Sequence, residues 1–340
     1  MLMHNNTALT PLFDGFFFGG FECSCHRRRD GVRLDLLRST RHDQFVHQDY
    51  HAMRAHGIRT VRDGIRWHLA EPSPGRYDWS HFLLMLDAAK HAGIQPLWDV
   101  CHYGWPDDLN IWSPAFVTRF AHFAAATAAI EAIRDVDPRA QFIAVDPIIN
   151  VVPNVPEERG PAERARLAQY QAWDMLVGDV LPELGGKPEY LDIVGVNFYS
   201  HNQWYLDGPT IHQGEALYRP LREMLKETYA HYRRPFFIAE TGAEGDKRVP
   251  WLRYVCDEVE AAVASGVPVG GICLYPITDY PGWDNDRHCP TGLLGFADDS
   301  GYRPIHTELA AELRAQSERF TRLFQTSERT ADVMHLQPER

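Results

Sequence analysis

No apolar run in this chain approaches the ~20 residues that a membrane-crossing helix needs, so a spanning segment is not expected. Basic residues are also too few to match a phosphate backbone. Lys and Arg number 34 against 46 Asp and Glu, a net charge of −12, which argues against a nucleic-acid partner. The six cysteines lack the spacing of a disulfide framework and read as reduced thiols in a cytoplasm. A secretory signal is not evident either, since the early apolar stretch has no basic start and is broken by Pro11 and Asp14. The chain is therefore expected to be cytoplasmic. No glycine-rich loop follows a strand, so a nucleotide cofactor has no support. Cys23, Cys25 and His26, even with His288 and Cys289, do not make the paired spacing of a zinc site, and no metal is expected.

What is present is a regular alternation of short apolar runs with longer amphipathic stretches, the pattern of repeated strand–helix units on a parallel sheet. Strands are expected at 15–19, 59–65, 95–100, 141–145, 191–197, 236–239 and 270–275. Helices are expected at 42–56, 80–92, 114–134, 161–180, 215–232, 250–265 and 305–325. Gly57, Gly93 and Gly266 each follow a helical stretch, where a left-handed cap is favoured. No linker or composition shift divides the chain. It reads as a single domain over 1–340, with its core in 12–325 and a polar tail at 327–340. The fold class is α/β, a TIM-type (β/α)8 barrel that is incomplete: seven strands are recognisable where eight are needed. The gap lies between the third and fourth runs, where an Ala-rich stretch of about 20 residues reads as two helices joined without a strand.

The run Phe236-Phe237-Ile238-Ala239 ends at Glu240, followed by Thr241 and Gly242. Its length and composition fit a fully buried strand. A carboxylate at the end of such a strand must be paired or do chemistry, because a bare buried charge is expensive. In a barrel of this class, active sites lie at that end of the strands. Other strand ends carry groups suited to a sugar: His102 after the third run, Asn197 and Tyr199 at the fifth, Trp283 and Asp284 after the last. Aromatic faces stack on pyranose rings, and His, Asn and carboxylates bond hydroxyls. Each residue alone reads as packing or as a satisfied structural group; four strand ends on one barrel face point to a binding site.

On these residues the chain resembles glycoside hydrolase family 1, the β-glucosidase-like retaining glycosidases, in order through most of residues 12–300. Ala239-Glu240-Thr241-Gly242 is similar to the segment that carries that family's nucleophile, which implies that role for Glu240. The segment 191–199 resembles the one whose Asn and Tyr lie beside the nucleophile, here Asn197 and Tyr199. The stretch 60–67 looks like the one that supplies an arginine to it, here Arg62. Cys101-His102-Tyr103-Gly104-Trp105-Pro106 matches the loop with a glycone-binding histidine, here His102. His26 falls where the family usually has a glycone-binding glutamine. The implied partner is a small carbohydrate or glycoside, with no cofactor.

Two departures accompany the matches. The family's last-strand clamp, an acidic residue between two tryptophans, becomes Tyr275 with Gly282 and Trp283, leaving Asp284 and Asp286 as the nearby acids. The strand-four segment with the acid/base Glu has no counterpart, and its absence coincides with the missing eighth strand. Retaining hydrolysis needs two carboxyls ~5–5.5 Å apart. Asp146, at the end of the fourth run, is the best-placed substitute acid by strand logic, with Glu22 and Asp99 behind it; its plainer reading is a cap or strand partner. Three functions are open at this point: a glycoside hydrolase impaired by the missing acid, a non-catalytic carbohydrate-binding barrel, and a lyase or isomerase using Glu240 as base.

Overall fold

The computed structural model describes residues 12–113, 130, 133–135 and 137–335, with side chains as far as 325. Its strands are β1 (Phe17–Gly20), β2 (Thr60–Gly64), β3 (Gln95–Asp99), β4 (Ile143–Pro147), β5 (Asn150–Val152), β6 (Ile193–Asn197), β7 (Gln203–Tyr205), β8 (Phe236–Thr241), β9 (Val269–Leu274), β10 (Tyr280–Pro281) and β11 (His288–Cys289). Seven of them form one parallel sheet in the order β3-β2-β1-β9-β8-β6-β4, and each overlaps one of the seven expected apolar runs. Two small ladders stand above the sheet, β5 with β7 and the hairpin β10–β11.

The strands are apolar on both faces because both faces are covered. Toward the helices, Val61, Val196, Phe236, Ile238 and Ile272 pack with Tyr50, Met53, Leu225 and Val259. On the concave side, Phe18, Ile193, Phe237, Ala239, Cys273 and Tyr275 form a second cluster that Leu97, Ile143 and Val145 join. Gly20 lets this inner layer close: a Cβ there would lie 2.1 Å from the Tyr275 ring.

The sheet curls into an incomplete barrel. β3 and β4 are its end strands, and no ladder joins them among the described residues. All positions of β2, β6 and β8 are buried, whereas those of β3 and β4 are half-buried or exposed, as expected for strands with one free edge. The described residues between them contain no strand, while the expected helix over 114–134 falls outside the description except at Ile130 and at 133–135, which are helical.

The other expected helices are present with shifted ends. Pro220 stands at the N-cap and delays the helix expected from 215 to Leu221–Tyr232. The helix expected over 161–180 is broken into Arg159–Leu167 and Gln171–Val177, with a tighter turn between. Gln169 lies in that turn; its amide donates to the Arg166 carbonyl and its oxygen accepts from the Ile149 N–H, so its side chain competes with the helix ladder. The last helix, Thr307–His335, runs on into the segment expected to be a frayed tail from residue 327. Gly57, Gly93 and Gly266 do take the left-handed conformation.

Behind β2, the buried His42 binds two carboxylates. Its Nδ1 lies 2.7 Å from Asp49 and its Nε2 2.8 Å from Asp63; Tyr50 donates to Asp63, and Arg303 donates to Asp49. Burial disfavours the imidazolium, but Asp63 and Asp49 outweigh it and lift the His42 pKa to about 9. A pKa raised in the folded state means stabilisation that is complete below the unfolded value of ~6.5 and is lost as pH rises through about 9. Urea unfolding followed from pH 7 to pH 10 should therefore show stability falling by roughly 3 kcal/mol, with His42→Gln flattening that limb and lowering stability at pH 7.

Candidate functional site

Strand alternation alone would turn Glu240 away from the concave face. On β8, Phe236 and Ile238 face the helices while Phe237 and Ala239 face inward. Opposite them, β6 pairs Val196 with Ile238 but Asn197 with Glu240, so β8 carries one extra residue at Ala239. This bulge re-aims the next side chain, and Glu240 follows Ala239 to the inner face. Thr241 then turns outward, where its hydroxyl accepts from the Trp251 indole at 2.8 Å.

There the two oxygens of Glu240 receive one donor each. Arg62 from β2 donates its Nη1 to Oε1 at 2.7 Å, and the Tyr199 hydroxyl donates to Oε2 at 3.0 Å. Burial, then the Glu240 charge, push the Tyr199 phenol well above its ordinary range, so it remains a donor. Asn197, in register with Glu240, is 8% exposed and its Oδ1 has no hydrogen-bond partner.

Arg62 also holds a second carboxylate. Its Nε and Nη2 each lie 2.9 Å from Asp99 at the end of β3, and its guanidinium carbon lies 5.2 Å from the Tyr275 ring centre. Burial would raise the Asp99 carboxyl, but Arg62 and His102 hold it well below the usual carboxylate range. Asp99 in turn binds His102 through Nδ1 at 3.0 Å. Burial alone would lower His102; the Asp99 bond, helped by the Glu22 charge, leaves its pKa raised. The Cys23 thiol lies 3.6 Å from Asp99 and 3.4 Å from His102, and burial pushes it far above the usual thiol range. Cys23, Asp99 and His102 offer ligand atoms within 4.8 Å of one another, close enough for a metal ion. An ion there would sit against the Arg62 guanidinium and compete for the same Asp99 oxygens.

Above this floor lies an aromatic rim. Tyr103 spans His102 and Trp283, with ring centres 4.8 Å and 5.6 Å away, and His26 meets Trp283 edge-on at 5.6 Å. The β10–β11 hairpin carries the Trp283 loop, and the His288 imidazole is engaged with Asp279 at 2.9 Å. Burial lowers the His26 pKa against the opposing charges of Glu22 and Asp284, and its buried Nδ1 has no partner.

Of the residues the sequence singles out, Glu240, Arg62 and Tyr199 are directly bonded, Asn197 lies beside them, and His102 joins through Asp99. His26, Trp283 and the exposed Asp284 lie at the rim. Asp146 lies on β4, an end strand of the sheet. Ile143 and Val145 face inward and Ala144 outward, so alternation gives Asp146 the outer face of β4. Burial pushes its carboxyl up to about 6, and its charge reaches the Tyr103 hydroxyl along with those of Glu240 and Glu22. Sequence reasoning ranked Asp99 low because a strand-end aspartate carries no sign of its partner. Tyr275 and Cys23 gave no signal beyond their place on inward-facing positions.

Residues 39–97, which include β2 and the first three residues of β3, match the family model Glyco_hydro_42, described as beta-galactosidase. No curated protein matches the chain by sequence. Among solved structures, β-glucosidase from Thermotoga maritima in complex with deoxynojirimycin superposes with a TM-score of 0.71 at 14% identity, covering 90% of this chain and 99% of that one. The family 1 β-glucosidase from the same organism gives 0.70 at 16% identity, covering 89% and 97%. At such identities the likeness speaks for the fold, which this chain shares with barrel glycosidases.

The coupling of Asp99 to His102 is measurable in the protein by NMR titration of the imidazole. His102 should titrate above the ordinary imidazole range in the wild type, and Asp99→Asn should lower it, since burial and the Arg62 charge are then opposed by Glu22 without Asp99.

Proposed function

We propose that the chain is a β-glucosidase-like retaining glycoside hydrolase of the family 1 type, with Glu240 as nucleophile and with its acid step impaired. The observation that carries the reading is the bulge-directed Glu240, held on one oxygen by Arg62 and on the other by Tyr199 at the C-terminal end of a barrel strand. The family 42 segment match and the likeness to β-glucosidase structures support the same reaction class. The glycone would lie over this floor, between the His26–Trp283 rim and the His102 ring.

In this mechanism Arg62 and Tyr199 fix the carboxylate so that a lone pair addresses the anomeric carbon. As the glycosidic bond breaks, the leaving oxygen takes the bond electrons, while the new Glu240–carbon bond forms from the opposite face. Water then breaks that ester-like bond, and the sugar leaves with its original anomeric configuration. Protonation of the leaving oxygen and activation of the water need a second carboxyl. No Asp or Glu occurs from residue 109 to residue 130, where the family's acid/base segment would fall. Asp146, the nominated substitute, belongs by alternation to the outer face of β4. The same observations favour a second reading, a carbohydrate-binding barrel that has lost turnover.

General acid assistance contributes ~10²–10⁴-fold. Alkyl glycosides should therefore be hydrolysed negligibly, while aryl glycosides with good leaving groups should react. The glycosyl-enzyme should break down slowly, and azide, which needs no general base, should accelerate its breakdown and give a glycosyl azide of retained configuration. Glu240→Gln should abolish both. Turnover of an unactivated disaccharide that is indifferent to azide contradicts the missing acid, and no reaction with any aryl glycoside supports the binding-only barrel.

A further inference from the structure

The departure at the last strand leaves the pocket without its expected acidic hydroxyl ligand, yet a carboxylate lies close by on another strand. Beyond the end of β1 the chain stays extended, the Phe21 N–H donating to the Arg62 carbonyl at 2.9 Å. Phe17 and Phe21 belong to the helix-facing cluster and Phe18 to the inner one, so alternation turns Glu22 inward. Glu22 is 3% exposed. One of its oxygens accepts from the Ser24 N–H at 3.0 Å and from the Ser24 hydroxyl at 2.6 Å, which fixes the carboxylate plane. Among the described residues no hydrogen bond to the second oxygen is found.

Its inward turn, just past β1 between β2 and β9, brings the Glu22 charge to bear on Tyr199 and Tyr275, on His102 and on His26. Two other groups around the same space also lack partners. The Asn197 Oδ1 and the His26 Nδ1 are buried without a hydrogen bond, a costly state unless a ligand supplies one. An acceptor carboxylate, an amide and an imidazole with unused bonding capacity suit the hydroxyls of a pyranose.

We propose that Glu22 is the hydroxyl-gripping carboxylate of this pocket and selects an uncharged pyranose glycone over phosphorylated or uronate sugars. The proposal rests on the glycosidase reading and adds the residue that sets the substrate class. With Asp99 and Glu240 both bonded to the one Arg62 guanidinium, and Glu22 adding a third carboxylate just past the neighbouring strand, a phosphate or carboxylate on the sugar would meet an excess of like charge.

The test combines calorimetric binding of deoxynojirimycin and its galacto epimer with hydrolysis of dinitrophenyl glycosides and their 6-phosphates. Wild type should bind one of the iminosugars and reject the 6-phosphates. Glu22→Gln, which keeps an acceptor for Ser24 and so its fold by thermal melting, should bind that iminosugar 10–100-fold more weakly and discriminate less against the 6-phosphate. If Glu240→Gln disturbs binding but Glu22→Gln leaves both affinity and discrimination unchanged, the Glu22 proposal fails while the glycosidase reading stands. No iminosugar binding by the wild type, with no aryl glycoside cleaved, overturns both. Glu22→Ala whose hydrolysis alone is rescued by azide would make Glu22 the acid/base and overturn its assignment as a hydroxyl ligand.

Discussion

The Arg62 guanidinium is the interaction on which the site depends. It spans the concave face from β2, binding Asp99 on one neighbour and Glu240 on β8, three strands away in the sheet. One buried cation between two carboxylates leaves a negative charge over, and through its bond to Asp99 the His102 pKa is pushed upward. The flat guanidinium suits this position as an ammonium would not, since it offers paired donors to Asp99, another to Glu240 and a face to Tyr275. Removing it would leave two carboxylates buried without their partner, a change that typically costs about 3–5 kcal/mol. Position and stability are thus set by one side chain, and the orientation of Glu240 follows from it.

The backbone contributes a second constraint. Without the extra residue on β8, Glu240 would face the helices and Thr241 would take its place. The open sheet bears on the same point. A closed barrel would flank β3 and β4 with an eighth strand, yet the groups that converge at the floor come from β2, β3, β6 and β8 and from the segments after β1, β6 and β9. The floor is therefore built by the described residues without an eighth strand. What that strand contributes in barrel glycosidases of the family 1 type, a carboxylate opposite the nucleophile, has no substitute bonded to the described site.

Much of this was legible in the sequence. Runs of β-branched and aromatic residues doubly buried in a parallel sheet leave a strong signal, and all seven strands were found from it. Glu240, Arg62 and Tyr199 were expected on one face because strand ends in such a fold have a known address, and both partners do bond Glu240. The bulge was not legible, because Phe236-Phe237-Ile238-Ala239 reads the same with or without it. Nor was the pairing of Arg62 with Asp99, since register between β2 and β3 is a tertiary fact. Helix ends shifted where a side chain such as Gln169 bonded the backbone, or where Pro220 barred an earlier start. The face taken by Asp146 was not legible, because alternation cannot be phased from a short run until its neighbours are known.

The central claim is that Glu240 attacks an anomeric carbon. It is tested most directly by incubating the protein with a 2-deoxy-2-fluoro glycosyl donor bearing a dinitrophenolate leaving group and following the intact mass. The fluorine slows breakdown of the glycosyl-enzyme, and the activated leaving group removes the need for an acid. The account predicts one added fluorosugar per chain, mapped by peptide sequencing to Glu240 and absent from Glu240→Gln. An unmodified protein across gluco- and galacto-configured donors, or a label on any other residue, would contradict it.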